Sequence, residues 1–529
     1  MSVKVTFHGA CGIVTGSCFE VRTERAAILI DCGMFQGTKS IKELNYGAFP
    51  FAIDTIDAVL LTHAHIDHCG LAPKLMNAGF TAPVITTRPT ADLLAYVLPD
   101  SGYVQETEVL RLTRRNRQRG RTEVEPIYTR SNGDACAKHV TSRAMDKWFD
   151  VAPGMRARFW DAGHILGSAS IELEVKDSKK DDGEVLRLLF SGDLGTGDNM
   201  LQKPANAPVG VDYLIVESTY GDRPRTRRTL AQRRAALRKE IKAGLDAGGI
   251  ILIPAFAVER TQQLLFDLDH LFDSGALTTV PVFVDSPLAI KATSVFAKYL
   301  RLNKELSVSA PFDRPNLRYI EDADVSRKLG RLHSGAIIIA GSGMCDAGRI
   351  RHHLKNHLSD PKTSVLLVGY QAPGTTGRLL SQGVPMIRIH GEEIAVNARI
   401  RLLDDYSGHA DQAGLIAWVK ARMPVAKDVF IVHGEEGARI ALAGALETVG
   451  IPADRLHLPQ MGETVRLTPK GAKTERVRAT VDVAATANAD WHNMYADTVI
   501  ALRRELDEAK DDRFRQKILN RVRGALGSA

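Results

Sequence analysis

The chain has 529 residues, of which 44% are hydrophobic and 25% are charged, and its net charge is +7. This composition is typical of a globular protein with two to four domains. Its six cysteines are scattered without a Cys-x-x-Cys pair, so neither a disulfide framework nor a cysteine-based zinc site is expected. The chain lacks a signal-peptide pattern and any run of roughly 20 apolar residues, which predicts a cytoplasmic protein that does not span a membrane.

The first 210 residues are predicted to alternate short buried strands with turns. The strands are Ala27–Ile30, Ala58–Leu61 and Leu186–Phe190. Each is followed by a polar residue, namely Asp31, Thr62 and Ser191. Because enzymes place their chemistry on loops held by a rigid scaffold, the ends of these strands are candidate positions for a site.

The strongest pattern is the segment Thr62–His68, which directly follows an apolar strand. Its potential metal ligands are His63, His65, Asp67 and His68. On a turn after a strand, the first two can point one way and the last two another, which suits two adjacent metals. Three imidazoles and a carboxylate favour zinc, with manganese or iron as alternatives.

Three further candidate ligands lie at the ends of other predicted strands. They are His164 in the segment 161–168, Asp193 after a Ser-Gly pair, and His433 in the segment 431–434. Each is a weak signal alone, but together they supply what a two-metal site still lacks.

Residues 211–400 show a different pattern, in which strands alternate with helices. The predicted strands are Ile250–Ile253, Val280–Val284, Ala336–Ala340 and Val365–Val368, and the predicted helices are Val258–Phe272 and one that begins near Ile350. This alternation predicts a second α/β domain, with a parallel sheet covered by helices.

Two glycine-rich segments in this region, 341–349 and 369–378, each follow a strand, end in arginine and open a helix. Glycines allow close backbone approach, and N–H groups at a helix start bind anions. The segments therefore predict a cradle for a phosphodiester backbone, with ordinary strand-to-helix turns as the alternative. Without the Lys-Ser/Thr of a Walker loop, nucleotide hydrolysis is disfavoured. The candidate residues are Ser342, Gly343, Arg349, Gly374, Thr375 and Arg378.

The remaining elements are a helix at Ala410–Arg422, a strand at Val429–Val432 and a helix at Glu435–Val449. From residue 468 the chain is polar and is predicted to end in a charged helix, Asp497–Arg523. This helix is either solvated or part of a homodimer.

Two basic runs, Arg111–Arg121 and Arg223–Lys239, either contact phosphates or form solvated helix faces. Aromatic residues make up only 6% of the chain, so an extended base-stacking platform is not expected.

The His-x-His-x-Asp-His pattern after a strand resembles the metallo-β-lactamase superfamily. The resemblance implies an αββα sandwich with a binuclear zinc site. It assigns His63, His65 and His164 to one metal, it assigns Asp67, His68 and His433 to the other, and it makes Asp193 the bridge. Asp31 matches the first superfamily motif, and it would orient a histidine ligand from behind.

The long α/β insertion narrows the resemblance to the β-CASP nucleases, whose three extra motifs resemble the segments around Glu217, His409 and His433. Histidine at the third position is typical of the RNA-processing branch. The two glycine-rich segments are most similar to bacterial and archaeal relatives of the nuclease subunit of the cleavage and polyadenylation specificity factor. Ala347 departs from the glycine common in that family.

The predicted domains are a metallo-β-lactamase domain in two parts, 1–210 and 401–467, an inserted β-CASP domain, 211–400, and a C-terminal extension, 468–529. The resemblance covers residues 1 to about 467.

The sequence and its resemblance predict a binuclear-zinc ribonuclease that acts on single-stranded RNA and leaves 5′-phosphate and 3′-hydroxyl ends. His409 is the candidate general acid and Glu217 its partner, while Asp67 and Asp31 complete the catalytic carboxylates. Endonucleolytic and 5′-to-3′ exonucleolytic cleavage both stay open. The alternatives are a DNA nuclease of the repair branch, a small-molecule hydrolase and a non-catalytic RNA-binding scaffold.

Overall fold

A computed structural model describes residues 3–117, 124–176, 185–196, 202–224, 229–302, 311–372, 374–468, 470–477, 502, 505–506 and 508–526. Among these residues, no helix combines the length and the apolar character needed to cross a membrane.

The strands of the described chain fall into three large sheets and one hairpin. In chain order they are β1 (Val3–Phe7), β2 (Phe19–Arg22), β3 (Ala27–Ile30), β4 (Ala58–Leu60), β5 (Val84–Thr87), β6 (Val140–Arg143), β7 (Phe149–Ala152), β8 (Met155–Asp161), β9 (Ala169–Lys176), β10 (Val185–Phe190), β11 (Tyr213–Glu217), β12 (Ile251–Pro254), β13 (Val282–Val284), β14 (Leu317–Tyr319), β15 (Ile337–Ala340), β16 (Ser364–Leu367), β17 (Met386–Ile389), β18 (Glu392–Ala395), β19 (Arg399–Leu402), β20 (Val429–Val432), β21 (Leu456–His457), β22 (Glu463–Thr468) and β23 (Gly471–Val477).

The α-helices of the described residues are numbered in the same way. They are α1 (Lys39–Glu43), α2 (Ile66–Cys69), α3 (Ala72–Asn77), α4 (Arg88–Arg117), α5 (Arg130–His139), α6 (Leu230–Asp246), α7 (Arg260–Asp273), α8 (Pro287–Leu302), α9 (Ala323–Leu329), α10 (Ile350–His357), α11 (Thr376–Ser381), α12 (Gln412–Lys420), α13 (Glu436–Thr448) and α14 (Asp512–Leu526).

Two mixed sheets form a sandwich. The first has the order β23-β22-β1-β2-β3-β4-β5-β6 and the second the order β21-β20-β11-β10-β9-β8-β7. Their inner faces meet in one apolar core, in which Val5 and Ile28 of the first sheet pack with Leu173 and Phe430 of the second. Helices α12 and α13 cover the outer face of the second sheet through Leu415 and Leu442, and α3 to α5 cover the first sheet. The four layers are the αββα sandwich that the sequence predicts.

The inserted domain is built on an all-parallel sheet with the order β14-β13-β15-β12-β16-β19. Strands such as β12 and β15 are buried along their whole length because helices lie on both faces, which explains their uninterrupted apolar sequences. One face packs on α6 to α8 within a core that continues into the sandwich, and the other packs on α10 and α11. The inserted parallel-sheet domain is therefore confirmed.

The structure places two strands differently from the predicted domain bounds. Strand β11 pairs with β10 and β20 in the second sheet, so the sandwich includes residues 213–217, which were predicted to begin the insertion. Strand β23 pairs with β22, so the sandwich also reaches beyond residue 467. The sequence of a buried parallel strand is apolar in either domain, so it does not show to which domain β11 belongs. The sequence of β23 resembles a polar tail because β23 is a charged edge strand.

Most predicted elements match the structure within about two residues, and β3 and β20 match completely. Helix α4 was not predicted beyond its basic end, although it spans 30 residues. The described part of the C-terminal helix begins at Asp512. Part of its predicted extent lies outside the described residues, as do 118–123 and 225–228 of the two basic runs.

Candidate active site

All seven predicted ligands meet at one edge of the sandwich. Parallel and adjacent strands end together at this edge, which brings residues more than 300 positions apart into contact. His63 and His65 follow β4, Asp67 and His68 lie on α2, His164 lies between β8 and β9, Asp193 follows β10, and His433 follows β20.

A first cluster joins His63, His65 and His164. Nδ1 of His65 lies 3.1 Å from Nε2 of His63 and 3.2 Å from Nε2 of His164. Nδ1 of His164 donates to the carbonyl of Gly408 at 3.0 Å. Because a carbonyl only accepts, this bond fixes the proton on Nδ1 and leaves the Nε2 lone pair for a metal. Burial, followed by the neighbouring His63, lowers the pKa of His65 to about 3, so its ring is neutral.

A second cluster joins Asp67, His68 and His433. Nε2 of His433 lies 3.1 Å from Nε2 of His68 and 3.6 Å from Oδ2 of Asp67. Both Nε2 atoms point to one centre because each ring's Nδ1 has its own neighbour. Nδ1 of His68 lies 2.7 Å from Asp31, and Nδ1 of His433 lies 3.1 Å from the hydroxyl of Thr219.

Asp193 connects the two clusters. Its Oδ2 lies 3.4 Å from Nε2 of His63 and 3.5 Å from Nε2 of His164, while its Oδ1 lies 3.2 Å from Nε2 of His68. Oδ1 is buried and accepts no hydrogen bond from the described residues. Burial opposes its ionisation, but the surrounding histidines, led by His433 and His68, hold the pKa of this carboxyl well below its usual range.

These observations test whether the residues fit metal ions. The donor atoms of each cluster lie within 4.8 Å of one another. A buried carboxylate oxygen without a hydrogen bond is costly, and imidazole lone pairs that face one another repel. Cations between them remove both costs, so the donor set fits metal binding.

Asp31 supports this site from behind the second cluster. Its Oδ1 accepts the backbone N–H of Thr62, and its Oδ2 accepts the Thr62 hydroxyl and faces His68. Both Asp31 and His433 have positive φ, at 62° and 50°. Backbone strain of this kind is stored at functional sites.

Glu217 and His409 form a pair at the open side of the clusters. Nδ1 of His409 lies 3.2 Å from Oε1 of Glu217, and its Nε2 lies 3.9 Å from Oδ2 of Asp193. Glu217 is buried and also accepts the N–H of Leu194, which fixes the carboxylate. Burial would lower the pKa of His409, but Glu217 and then Asp193 raise it above 6.5. This imidazole can therefore carry a proton towards the clusters.

The clusters lie at the bottom of a cleft of about 2040 Å³ between the sandwich and the inserted domain. Three residues of the predicted phosphate cradle line this cleft, namely Ser342, Arg349 and Thr375. The other three, Gly343, Gly374 and Arg378, are not among the described residues that line it.

The two glycine-rich loops contact each other. Asp346 accepts the N–H of Thr376 at 2.8 Å, and Gln371 donates to the carbonyl of Gly343 at 3.1 Å. The hydroxyl of Thr375 caps α11 by accepting the N–H of Arg378.

Arg349 has partners within its own domain. Its guanidinium donates to Asp285 at 2.7 Å and to the carbonyls of Ile320 and Glu321. The structure therefore gives this predicted RNA-binding side chain a role in holding the loop.

Sequence reasoning missed three supports of the site: Thr219 behind His433, the Gly408 carbonyl behind His164, and Glu259, whose carboxylate accepts the N–H of Leu166 at 3.2 Å. Thr219 lies two residues after Glu217, and Gly408 lies directly before His409. Their proximity in sequence to these two candidate residues is the signal from which they could have been predicted. Glu259 lies in the inserted domain, and its contact with the ligand loop depends on the docking of the two domains.

Three family models match the chain. They are described as the metallo-beta-lactamase superfamily, at residues 11–106, the Beta-Casp domain, at 261–380, and the Zn-dependent metallo-hydrolase RNA specificity domain, at 393–456. Together they match segments of both parts of the sandwich and of the insertion.

Curated relatives match most of the chain. Ribonuclease TTHA0252 of Thermus thermophilus is 34% identical over 472 residues, which cover 88% of this chain and 100% of that protein. An RNase J-like protein of Methanocaldococcus jannaschii is 32% identical, with 85% and 97% covered. Transcription termination factor FttA of Methanosarcina mazei is 31% identical, with 84% and 69% covered. The chain belongs to the β-CASP family of the metallo-β-lactamase superfamily.

Proposed function

We propose that this protein is a metal-dependent ribonuclease that hydrolyses phosphodiester bonds of single-stranded RNA. The observation that carries the proposal is Asp193, whose two carboxylate oxygens face two separate ligand clusters at the bottom of a large interdomain cleft. The ribonuclease names of two relatives that align over nearly their whole length support RNA as the substrate.

The two clusters are proposed to hold two zinc ions, with manganese as the alternative. His63, His65 and His164 would hold one ion, while Asp67, His68 and His433 would hold the other, and Asp193 would contact both. Imidazole and carboxylate donors without thiolates suit zinc and manganese. When bound, such metals lower the pKa of water and neutralise charge on the scissile phosphate.

The protein's own side chains would divide the remaining work. Asp31 holds Nδ1 of His68 and so keeps its Nε2 directed at the second cluster. Glu217 accepts the Nδ1 proton of His409, which leaves Nε2 to donate a proton to the departing 3′ oxygen. Cleavage of this P–O3′ bond leaves a 5′ phosphate and a 3′ hydroxyl.

The two glycine-rich loops are proposed to cradle the phosphodiester backbone of the RNA. Ser342 and Thr375 line the same cleft as the clusters, and the backbone of Gly343 and Gly374 shapes the loops that carry them. Arg378 and Arg349 would add positive charge behind these loops rather than direct contacts.

A cytoplasmic location and a homodimer complete the proposal. The six cysteines are all buried and unpaired in the described structure, which suits a reducing compartment. The dimer would form through residues 468–529. Light scattering of the full chain and of a chain that ends at residue 477 tests it, since only the full chain should give the dimer mass.

The test of the proposed function is cleavage of matched single-stranded RNA and DNA oligonucleotides, labelled at the 5′ end, with and without a chelator. Chelator-sensitive cleavage of RNA but not DNA is expected. The product ladder separates internal cuts from end-directed degradation. Cleavage of DNA alone would move the protein to the repair branch, and cleavage of neither by protein with two metals bound would overturn the proposal.

A further inference from the structure

We propose that one face of helix α4 is a binding track for single-stranded RNA that leads away from the metal clusters. The α4 track consists of Tyr96, Tyr103 and Arg111 on α4, together with Lys291 on α8. The bases of the RNA would stack on the two tyrosines, and the phosphates of the RNA would contact Arg111 and Lys291. This inference rests on the proposed function and names where the substrate lies beyond the site of cleavage.

Helix α4 lines much of the cleft, and one row of its residues runs along the helix axis. The residues at positions 96, 100, 103, 107 and 111 follow a spacing of three to four and all line the cleft, as expected for one side of an α-helix. At 1.5 Å per residue, Tyr103 lies roughly 10 Å along the axis from Tyr96, and Arg111 lies about 12 Å further. The face is thus long enough for several nucleotides.

The tyrosines of this face are solvent-exposed although the protein has an ample apolar core. Tyr96 is 38% exposed and Tyr103 is 54% exposed, and Tyr46, which also lines the cleft beside this face, is 54% exposed. Aromatic rings on the route of a single strand bind bases by stacking, whatever the base sequence.

Positive charge accompanies the aromatic rings. The ammonium of Lys291 lies 5.7 Å from the centre of the Tyr96 ring. Among the described residues, neither Lys291 nor Arg111 has an ion-pair partner. Asp100 and Glu108 are the acids of α4 that line the cleft, and the charged neighbours of Asp100 are Lys291 and Arg130. Both cations are therefore available to phosphates.

The far end of the track meets a basic cluster on the inserted domain. Arg111, Arg351, His352 and His390 all line the cleft, and Arg111 is one of the charges that lower the pKa of His352, after burial. The rings of His352 and His390 stack 4.6 Å apart. Because Arg111 belongs to the sandwich and the other groups to the insertion, a bound strand would contact both domains.

A nucleic acid strand fits this surface better than a protein segment. The track opens into the same cleft as the metal clusters, so the occupant must extend to a site built for phosphodiester hydrolysis. Aromatic rings alternating with unpaired cations match alternating bases and phosphates. The rings would hold the strand without reading its sequence.

The test measures binding of labelled oligouridine to the full chain by fluorescence anisotropy. A chelator is present so that the oligonucleotide is not cleaved during the measurement. Tyr96→Ala and Tyr103→Ala should each weaken binding about tenfold. Tyr96→Phe and Tyr103→Phe, which keep the ring, should bind within about twofold of the unaltered protein. Ile440→Ala, at an exposed position on α13 outside the cleft lining, is the matched control.

The salt dependence supplies a second readout. Arg111→Gln should reduce the slope of log affinity against log salt by about 0.7, the value of one phosphate contact on a single strand. Arg114→Gln makes the same charge change on the same helix, at an exposed position outside the cleft lining, and should leave the slope unchanged. Melting temperatures confirm that each variant is folded.

Loss of oligouridine binding in the alanine variants supports the track even if the protein cleaves no RNA, so failure of the proposed function is distinguishable. If the alanine variants cleave RNA and bind oligouridine within twofold of the unaltered protein, the proposed track is wrong and the proposed ribonuclease function stands. Equal slopes for Arg111→Gln and the unaltered protein would overturn the phosphate contact.

Discussion

Two buried aspartates, Asp193 in the sandwich and Asp285 in the inserted domain, look alike in sequence and in surroundings. Each follows a strand of a sheet, each is almost inaccessible to solvent, and each has histidine neighbours. Their hydrogen bonds differ. Asp285 accepts from Ser326 at 2.6 Å, from His353 at 2.7 Å and from Arg349 at 2.7 Å, whereas Oδ1 of Asp193 accepts none from the described residues.

The difference separates a structural anchor from a candidate metal ligand. A buried carboxylate that its own domain satisfies with hydrogen bonds holds its neighbours in place. A buried carboxylate that faces imidazole lone pairs, with an oxygen left unsatisfied, needs a cation. Burial and histidine neighbours therefore do not indicate a metal site by themselves. The number of carboxylate oxygens that accept hydrogen bonds distinguishes a structural aspartate from a candidate metal ligand.

We expect the largest effect from Asp193→Asn. An amide cannot supply two anionic oxygens to two clusters, so metal content and activity should fall together, with activity lower by roughly 10⁴-fold. Metal analysis of the purified variant and RNA cleavage assays measure both. Two metals per chain in this variant would show that Asp193 does not connect the clusters.

Removal of His409 separates proton donation from metal binding. His409→Ala should keep the metal content and lower turnover by roughly 10²–10⁴-fold, the usual contribution of a general acid. Because the pKa of His409 is raised and the acid acts when protonated, the unaltered enzyme should lose turnover as pH rises through that pKa. The variant should lack this limb of the pH profile.

His333→Ala, at an exposed histidine outside the cleft lining, is the control for this variant. Full turnover by His409→Ala would remove His409 from the mechanism.

The comparison also shows what the sequence could predict. The clustering of the seven predicted ligands with Asp31, Glu217 and His409 could be predicted because each lies at a strand end or in a local motif, and parallel strands bring such ends together. The anchor role of Arg349 was not predictable, since its partner Asp285 lies 64 residues away and meets it only in the folded sheet.

The aromatic face of α4 was hidden for a different reason. A composition of 6% aromatic residues argued against a stacking platform, but the fold gathers three exposed tyrosines in one cleft. Composition averages over the chain, whereas a binding surface depends on which few residues share a face.

Asp285→Asn is the counterpart of Asp193→Asn and should give the opposite result. Removing the charge leaves the Arg349 guanidinium without its anion, so the free energy of unfolding should fall by about 3 kcal/mol while metal content stays unchanged. Denaturant titration and metal analysis measure the two. Asp246→Asn, which breaks an exposed pair with Lys242, should cost less than about 0.5 kcal/mol. Metal loss in Asp285→Asn with unchanged stability would reverse the assignment of the two aspartates.

Arg349→Gln tests the other side of the same pair. The variant should be less stable by about 1–3 kcal/mol, and the salt dependence of oligouridine binding should not change, because the guanidinium is directed to Asp285 and two carbonyls. A smaller salt slope at unchanged stability would instead assign Arg349 to an RNA phosphate, as the sequence predicts.

The smallest expected effect is the pH dependence of the Asp285 contribution to stability. Burial alone would raise the pKa of this carboxyl, but hydrogen bonds from His353, Ser326 and Arg349 lower it below its ordinary value of 3.8. A carboxyl with a depressed pKa in the folded state stabilises the protein fully above its unfolded pKa and loses this contribution as pH falls through its folded pKa. The difference in unfolding free energy between the unaltered protein and Asp285→Asn should therefore stay constant from neutral pH down to about pH 5 and narrow below about pH 4. A difference that narrows instead as pH rises from neutrality would mean that the ionised carboxylate is not the stabilising form.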